Sequence, residues 1–259
     1  MVLDAGDLDA GDAPEVLAEL PAEGYLRLNP AGDGRHVFVS TDEGFRTGVA
    51  QIDADGKELK RFEECPGAHG AEESSAGIFV GCSDGDLVYA DGKVTKVKAP
   101  DEYGRIGNQA GSTESKYVLG DYKSDAEAAE SGELERPEQV SIIDTETGDL
   151  KLVDLGTSYT FRSLGMNDDG LAVVLGTDGK LHLIDPERAK VVKTIDVIDA
   201  WEESEEWQGP RPALAVNGDV AYVTDPATKT IHVVDLTGEK ETLTAELPET
   251  PDELVVTEG

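Results

Sequence analysis

The chain has 259 residues, 38% hydrophobic but only 5% aromatic, with 29 glycines and a formal charge of −33 from 55 Asp and Glu against 22 Lys and Arg. Such an excess of acid repels phosphate backbones and anionic lipid surfaces, which excludes nucleic acid as a partner. No stretch approaches the roughly 18 to 20 consecutive apolar residues of a membrane span, so no membrane insertion is expected, and the length suits one large all-β domain over 1–259.

In chain order, Met1 to Asp7 offers neither a basic segment nor an apolar core, so no secretion signal is expected here. From there on, apolar and polar residues alternate in short runs bounded by Gly, Asp and Asn, the period-2 pattern of half-buried strands, with no helical stripe of 12 or more residues. One unit recurs: a β-rich run ending in a hydrophobic residue and Asp, a polar or Gly-containing turn, and a second β-rich run. Its marker aspartates are Asp53, Asp91, Asp144, Asp185 and Asp235. The Asp side chain accepts hydrogen bonds from the N–H groups of the turn that follows, so each copy reads as a hairpin corner.

The spacing of these markers matches one four-stranded blade per repeat and predicts a β-propeller of about six blades. Two acidic insertions, Lys123 to Gln139 and Trp201 to Gln208, read as surface loops that lengthen their repeats. In the fourth blade the strands are expected at Phe161–Leu164, Leu171–Leu175, Lys180–Ile184 and Val191–Ile195. In the fifth they are expected at Pro212–Val216, Val220–Val223, Thr230–Val234 and Thr242–Leu247. Met1–Asp4 and Glu15–Leu20 resemble a third and fourth strand and Leu254–Thr257 a first. A closing blade shared between the two termini would hide the sheet edges.

Cys65 precedes the inner strand of the second blade and Cys82 lies inside the next run, Ile78-Phe79-Val80-Gly81-Cys82, and neighbouring strands of one blade bring their Cα atoms within disulfide range. A disulfide implies an oxidising compartment. The same pair also reads as two separate buried thiols or, with His69, as a Cys-Cys-His zinc site. His69 stands in Pro66-Gly67-Ala68-His69-Gly70, at the head of an inner strand that would line the channel. Flanking glycines let the backbone turn there, and an imidazole with Glu72 and Glu73 nearby makes a candidate divalent-metal site. His182 and His232 share a register, three residues before a marker Asp, and read as structural; His36 reads as an exposed strand residue. Asn108, Gln109, Arg162 and Arg211 are expected to make the channel polar. There is no nucleophile elbow, phosphate loop, HExxH or calcium loop, so the chain is not read as an enzyme.

The longer motifs carry a family resemblance. Glu64-Cys65-Pro66-Gly67-Ala68-His69-Gly70, Val80-Gly81-Cys82-Ser83-Asp84-Gly85, Tyr103-Gly104-Arg105-Ile106-Gly107-Asn108-Gln109-Ala110-Gly111-Ser112 and Asp199-Ala200-Trp201-Glu202-Glu203-Ser204-Glu205-Glu206-Trp207-Gln208 resemble the AztD-type zinc metallochaperones. That resemblance implies a periplasmic or secreted β-propeller that binds zinc and delivers it to the solute-binding protein of a zinc ABC importer. It also implies that Cys65 and Cys82 form the family disulfide and that His69 faces the metal region. Family members are longer and carry a His-rich segment, whereas this chain has four histidines. The expected protein is a monomeric, extracytoplasmic, zinc-binding carrier. Two other classes fit a propeller: a metal-dependent hydrolase or lyase of the lactonase type, and a metal-free interaction scaffold.

Overall fold

The computed structural model describes residues 45–53, 57–90 and 92–256, and before them the strands Val2–Leu3, Val16–Ala18, Leu28–Ala31 and Arg35–Asp42. Side chains are described from Gly48 onward apart from Ile52. β1 (Val2–Leu3) and β2 (Val16–Ala18) form an antiparallel pair, as expected of a third and fourth strand. Five four-stranded antiparallel units follow. The first is β3 (Leu28–Ala31), β4 (Arg35–Asp42), β5 (Phe45–Ile52) and β6 (Glu58–Phe62). The second is β7 (His69–Ser74), β8 (Gly77–Cys82), β9 (Asp84–Ala90) and β10 (Lys93–Lys98), with the two-residue β11 (Gly104–Arg105) beside β9 in parallel. The third is β12 (Gln109–Ala110), β13 (Tyr117–Asp121), β14 (Gln139–Asp144) and β15 (Asp149–Asp154). The fourth is β16 (Leu164–Met166), β17 (Ala172–Leu175), β18 (Lys180–Asp185) and β19 (Lys190–Asp196), and the fifth β20 (Ala213–Asn217), β21 (Val220–Asp225), β22 (Thr230–Asp235) and β23 (Lys240–Glu246). This is the all-β propeller that the repeat predicts.

The marker aspartates do what the pattern requires. Asp144 Oδ1 accepts from the N–H groups of Glu146 and Thr147 at 3.0 and 3.1 Å, Asp185 Oδ1 from Arg188 at 3.1 Å, and Asp235 Oδ1 from Gly238 at 2.8 Å. Asp53 Oδ1 accepts from Lys57 N–H at 2.9 Å; Asp91 lies outside the described residues. The Gly238 and Thr237 bonds hold the Asp235 carboxyl below its ordinary value. Asp144 is also held low, because Lys116 and the turn N–H groups outweigh the upward push of burial.

Two details differ from the expected strands. The inner strand of the fourth unit starts at Leu164 instead of Phe161, because residues 160–163 are locked in a turn. There Ser163 N–H donates to the Thr160 carbonyl and Thr160 N–H to Ser163 Oγ, both at 3.1 Å. At the C-terminus, 251–256 carry no strand, and Thr257 lies outside the described residues. Arg162 draws this segment inward through the Asp252 carbonyl and carboxylate and the Glu253 carboxylate, so Leu254 lies near Phe161, Leu164, Ala213 and Leu214.

Alternation also turns out to describe only part of each unit. Outer strands β10 and β15 alternate between exposed and partly buried positions, but β8 (Gly77–Cys82) is buried at its last five positions and β17 (Ala172–Leu175) throughout. The reason is that a central strand is covered on both faces. In β17, Ala172 and Val174 pack with Leu119, Val140 and Ile142 of the third unit, while Val173 and Leu175 pack with Leu214, Ala221 and Val223 of the fifth. In β8, Ile78 and Val80 join Val49 of the first unit, and Phe79 joins Ile106, Val118 and Ile143 on the other side. Successive side chains thus feed successive inter-blade cores, and apolar residues run without interruption.

Asp86 breaks that rule. It is fully buried on β9, and neither carboxylate oxygen has a hydrogen-bond partner among the described residues. Burial pushes its pKa well up, against weaker downward pulls from the nearby Leu87 N–H, from Lys96 and from the Val80 N–H, the two N–H groups approaching without reaching hydrogen-bond geometry. A raised folded-state pKa means that stability is intact below the unfolded value of about 3.9 and is lost as pH rises toward the folded value. Asp86→Asn is therefore expected to raise the melting temperature at pH 7 and to leave it nearly unchanged at pH 3.5. Thermal melts of both forms at the two pH values check this, and a lower melting temperature at pH 7 would contradict it.

Candidate functional site

Strand direction places the candidate residues at one end of the propeller. Within each four-stranded unit the second-to-third connection and the link to the next unit emerge at the same end, and the marker-Asp hairpins at the opposite end. His69 begins an inner strand at the first of these ends. Both acidic insertions emerge there too, one between β13 and β14 and the other between β19 and β20. They are not merely surface extensions, because together they wall a recess of about 350 Å³ that also includes His69.

The first insertion starts with Lys123 and contains α1 (Ala126–Ser131), capped at its start by Asp125 Oδ1 accepting from Ala128 N–H at 2.9 Å and closed by Gly132 at φ 75°. It returns through Leu134, Glu135 and Pro137, which face the recess. Glu135 Oε1 accepts from the N–H groups of Ser124 and Asp125 at 2.9 and 3.2 Å, pinning the loop to its own base. The second insertion is held by Arg211, which is 2% exposed. One guanidinium nitrogen of Arg211 donates to Glu203 Oε1 at 2.8 Å, the other to the carbonyls of Glu206 and Trp207 at 2.7 and 3.0 Å, and Nε to the Gly209 carbonyl at 3.3 Å. Burial pushes the Glu203 carboxyl up, against the downward pull of Arg211, Lys123 and Arg136. Phe161 sits 5.0 Å from the Arg211 guanidinium, and Trp207 is 72% exposed at the rim.

Cys65 and Cys82 are joined by a disulfide with Cα atoms 5.0 Å apart. It ties the β6–β7 connection to the end of β8, and Ser83 N–H donates to the Pro66 carbonyl at 2.7 Å beside it. The glycines of the motif are needed as expected: Gly67 and Gly70 have φ of 62° and 63°. A β-carbon on Gly70 would come within 2.5 Å of the Gly107 carbonyl. That carbonyl accepts from His69 Nδ1 at 2.7 Å. In the neutral ring, this bond places the proton on Nδ1 and the lone pair on Nε2, the arrangement that a metal-binding imidazole uses.

Glu72 and Glu73 lie further along β7 and do not line the recess. Glu72 packs against the inner strand of the third unit, where a β-carbon on Gly111 would come within 3.2 Å of its Cγ. The carboxylates that share the recess with His69 are Asp121, Glu135, Glu203 and Glu205. Asp121 is engaged through both oxygens, by the N–H groups of Gly107 and Asn108 at 2.5 and 3.1 Å and by Asn108 Nδ2 at 3.0 Å. Among the described residues no three His, Cys, Asp or Glu side chains converge to hold a metal ion.

Of the other polar residues expected in the channel, Asn108 and Arg211 line the recess, Gln109 donates to the His69 carbonyl at 3.4 Å, and Arg162 holds the C-terminal segment. His182 and His232 are bonded within their own blades, to Asp178 at 3.2 Å and to Thr230 at 2.9 Å, as structural histidines should be. The side chain of His36 lies outside the described residues.

Fold and site together define a disulfide-stapled β-propeller with an imidazole and several carboxylates in a recess at one end of its blades. The chain is similar to the zinc chaperone AztD of Citrobacter koseri, with 26% identity over 219 residues that cover 82% of this chain and 49% of the relative. It thus spans about half the length of that protein. The crystal structure of Citrobacter koseri AztD superimposes with a TM-score of 0.74 at 23% identity, covering 91% of this chain and 62% of that one. The apo AztD structure from the same organism gives 0.73 at 23% identity, over 88% and 61%. No protein-family model matches the chain.

Proposed function

We propose that this protein is an extracytoplasmic zinc metallochaperone, a carrier and not an enzyme, which passes zinc to the solute-binding protein of a zinc ABC importer. The observation that carries the reading is His69, oriented by the Gly107 carbonyl in a carboxylate-bearing recess, in a chain similar to a zinc chaperone over 82% of its length. The Cys65–Cys82 disulfide supports the compartment, since such links persist where the milieu is oxidising. No helix among the described residues is long and apolar enough to cross a membrane. Zinc takes nitrogen and oxygen donors in a set of about four. In this reading His69 Nε2 is the first donor and carboxylates complete the set, drawn from Glu72 and Glu73 along β7 or from the acidic loops. A site assembled around the ion releases it more readily than a rigid cage, which suits hand-over.

Calorimetric zinc titration of the purified chain tests the proposal. Saturable binding is expected, weakened at least about tenfold in His69→Ala. Glu72→Gln, Glu73→Gln and Glu205→Gln then identify which carboxylates share the ion. Binding unaffected by His69→Ala removes His69 from the site, and no binding removes zinc as the cargo.

A further inference from the structure

The recess contains a feature that a zinc site does not need. Arg105 and Lys123 face each other across an isolated antiparallel bridge, with Arg105 N–H donating to the Lys123 carbonyl at 2.8 Å and Lys123 N–H to the Arg105 carbonyl at 3.0 Å. Residues paired in this way project their side chains to the same face with Cβ atoms about 4.5–5.5 Å apart, and like charges so placed are destabilising. Both line the recess and both are only partly buried. Neither side chain has an ion-pair or hydrogen-bond partner among the described residues. This occurs in a chain where acidic residues outnumber basic ones 55 to 22, so carboxylate partners were plentiful.

The carboxylates nearby are mostly committed elsewhere. Asp121 is taken by the Gly107 and Asn108 donors, Glu135 Oε1 by the Ser124 and Asp125 N–H groups, and Glu203 Oε1 by Arg211. Arg105 also lies against Gly107, where a β-carbon would meet its guanidinium at 2.3 Å, so glycine leaves the room in which the guanidinium sits beside His69's anchor.

We propose that Arg105 and Lys123 form an anion subsite that binds a small organic carboxylate in the recess. An anion between the two cations relieves their repulsion and takes charge-assisted hydrogen bonds from both. The surroundings favour an organic acid over an inorganic oxyanion. The volume of about 350 Å³ falls within the range of small-molecule sites, well above the needs of a single tetrahedral ion, and Leu134, Pro137, Tyr159, Phe161 and Trp207 supply apolar wall for a carbon skeleton. The overall charge of −33 repels anions, so any that bind here must be recognised locally.

The test is calorimetric titration of citrate into the full, metal-free chain at low ionic strength, so that its outcome is independent of zinc binding. Expected is saturable binding with a dissociation constant tighter than about 1 mM, weakened at least about tenfold by Arg105→Gln and by Lys123→Gln separately. Lys93→Gln removes the same charge from the start of β10 at the far end and should leave binding unchanged; circular dichroism verifies that each variant is folded. Absence of saturable citrate binding overturns the proposal, as does equal weakening by all three substitutions or inorganic phosphate binding as tightly as citrate.

Discussion

Replacing Arg211 with Met is expected to destabilise the protein by about 3–5 kcal/mol, because it strands a buried carboxylate and unfastens a loop in one step. The side chains of Arg211 and Glu203 are 2% and 5% exposed, and their 2.8 Å contact is joined by bonds from Arg211 to the carbonyls of Glu206, Trp207 and Gly209. Without the guanidinium these carbonyls lose a charged donor, and Glu203 keeps only the weaker pulls of Lys123 and Arg136 against the burial that already pushes its pKa up. The double replacement Arg211→Met with Glu203→Leu should recover much of the loss, since removing both partners removes the desolvation cost as well. Chemical denaturation measures the energy, and limited proteolysis across 201–208 reports the loop. A single variant as stable as the parent would show that the clamp contributes nothing.

The second large effect is expected from the disulfide. Changing both Cys65 and Cys82 to Ala should cost about 3 kcal/mol, the chain-entropy value for a loop of this length, or roughly 6–12 °C in melting temperature. The link joins residues 17 apart and closes the β6–β7 connection against β8. Because that connection leads directly into His69, its release should also loosen the imidazole from the Gly107 carbonyl. Thermal melts of the parent with and without reductant, beside the double variant, separate the cross-link from the loss of two sulfur atoms. A reduced parent that melts with the oxidised one would contradict the expected effect.

Much of this architecture is legible in the residues because local and global signals agree. The marker aspartates are visible because the turn they cap needs a side-chain acceptor two or three residues before its N–H donors, which is a purely local requirement. Asp144, Asp185 and Asp235 meet it with Thr147, Arg188 and Gly238. The cysteines are visible because one precedes the inner strand of a blade and the other lies in the strand paired with it. The central strands were harder to read: β17 is apolar on both faces, since blades cover it from either side, and a short unbroken apolar run has no period to follow. The start of β16 is hidden because the Thr160–Ser163 turn depends on a side-chain bond that Phe161-Arg162 does not reveal.

The recess is the larger omission. Three of its four carboxylates, Glu135, Glu203 and Glu205, come from the two insertions, whose composition suggests only solvated loops. Nothing between residues 123 and 139 or 201 and 208 refers to His69, which lies more than 50 residues earlier. The usable signal is topological: one insertion joins a second strand to a third, the other joins one blade to the next, and both positions open at the end where His69 begins its strand. Arg211 is the other clue, since a basic residue between two prolines just after an acidic loop is well placed to hold that loop by its backbone.

The most direct test is anomalous scattering at the zinc absorption edge from crystals grown with zinc. The expected result is a peak about 2.0–2.1 Å from His69 Nε2, with carboxylate oxygens from β7 or the acidic loops completing its coordination. A peak remote from His69, or none at saturating zinc, would contradict a zinc carrier built around this imidazole.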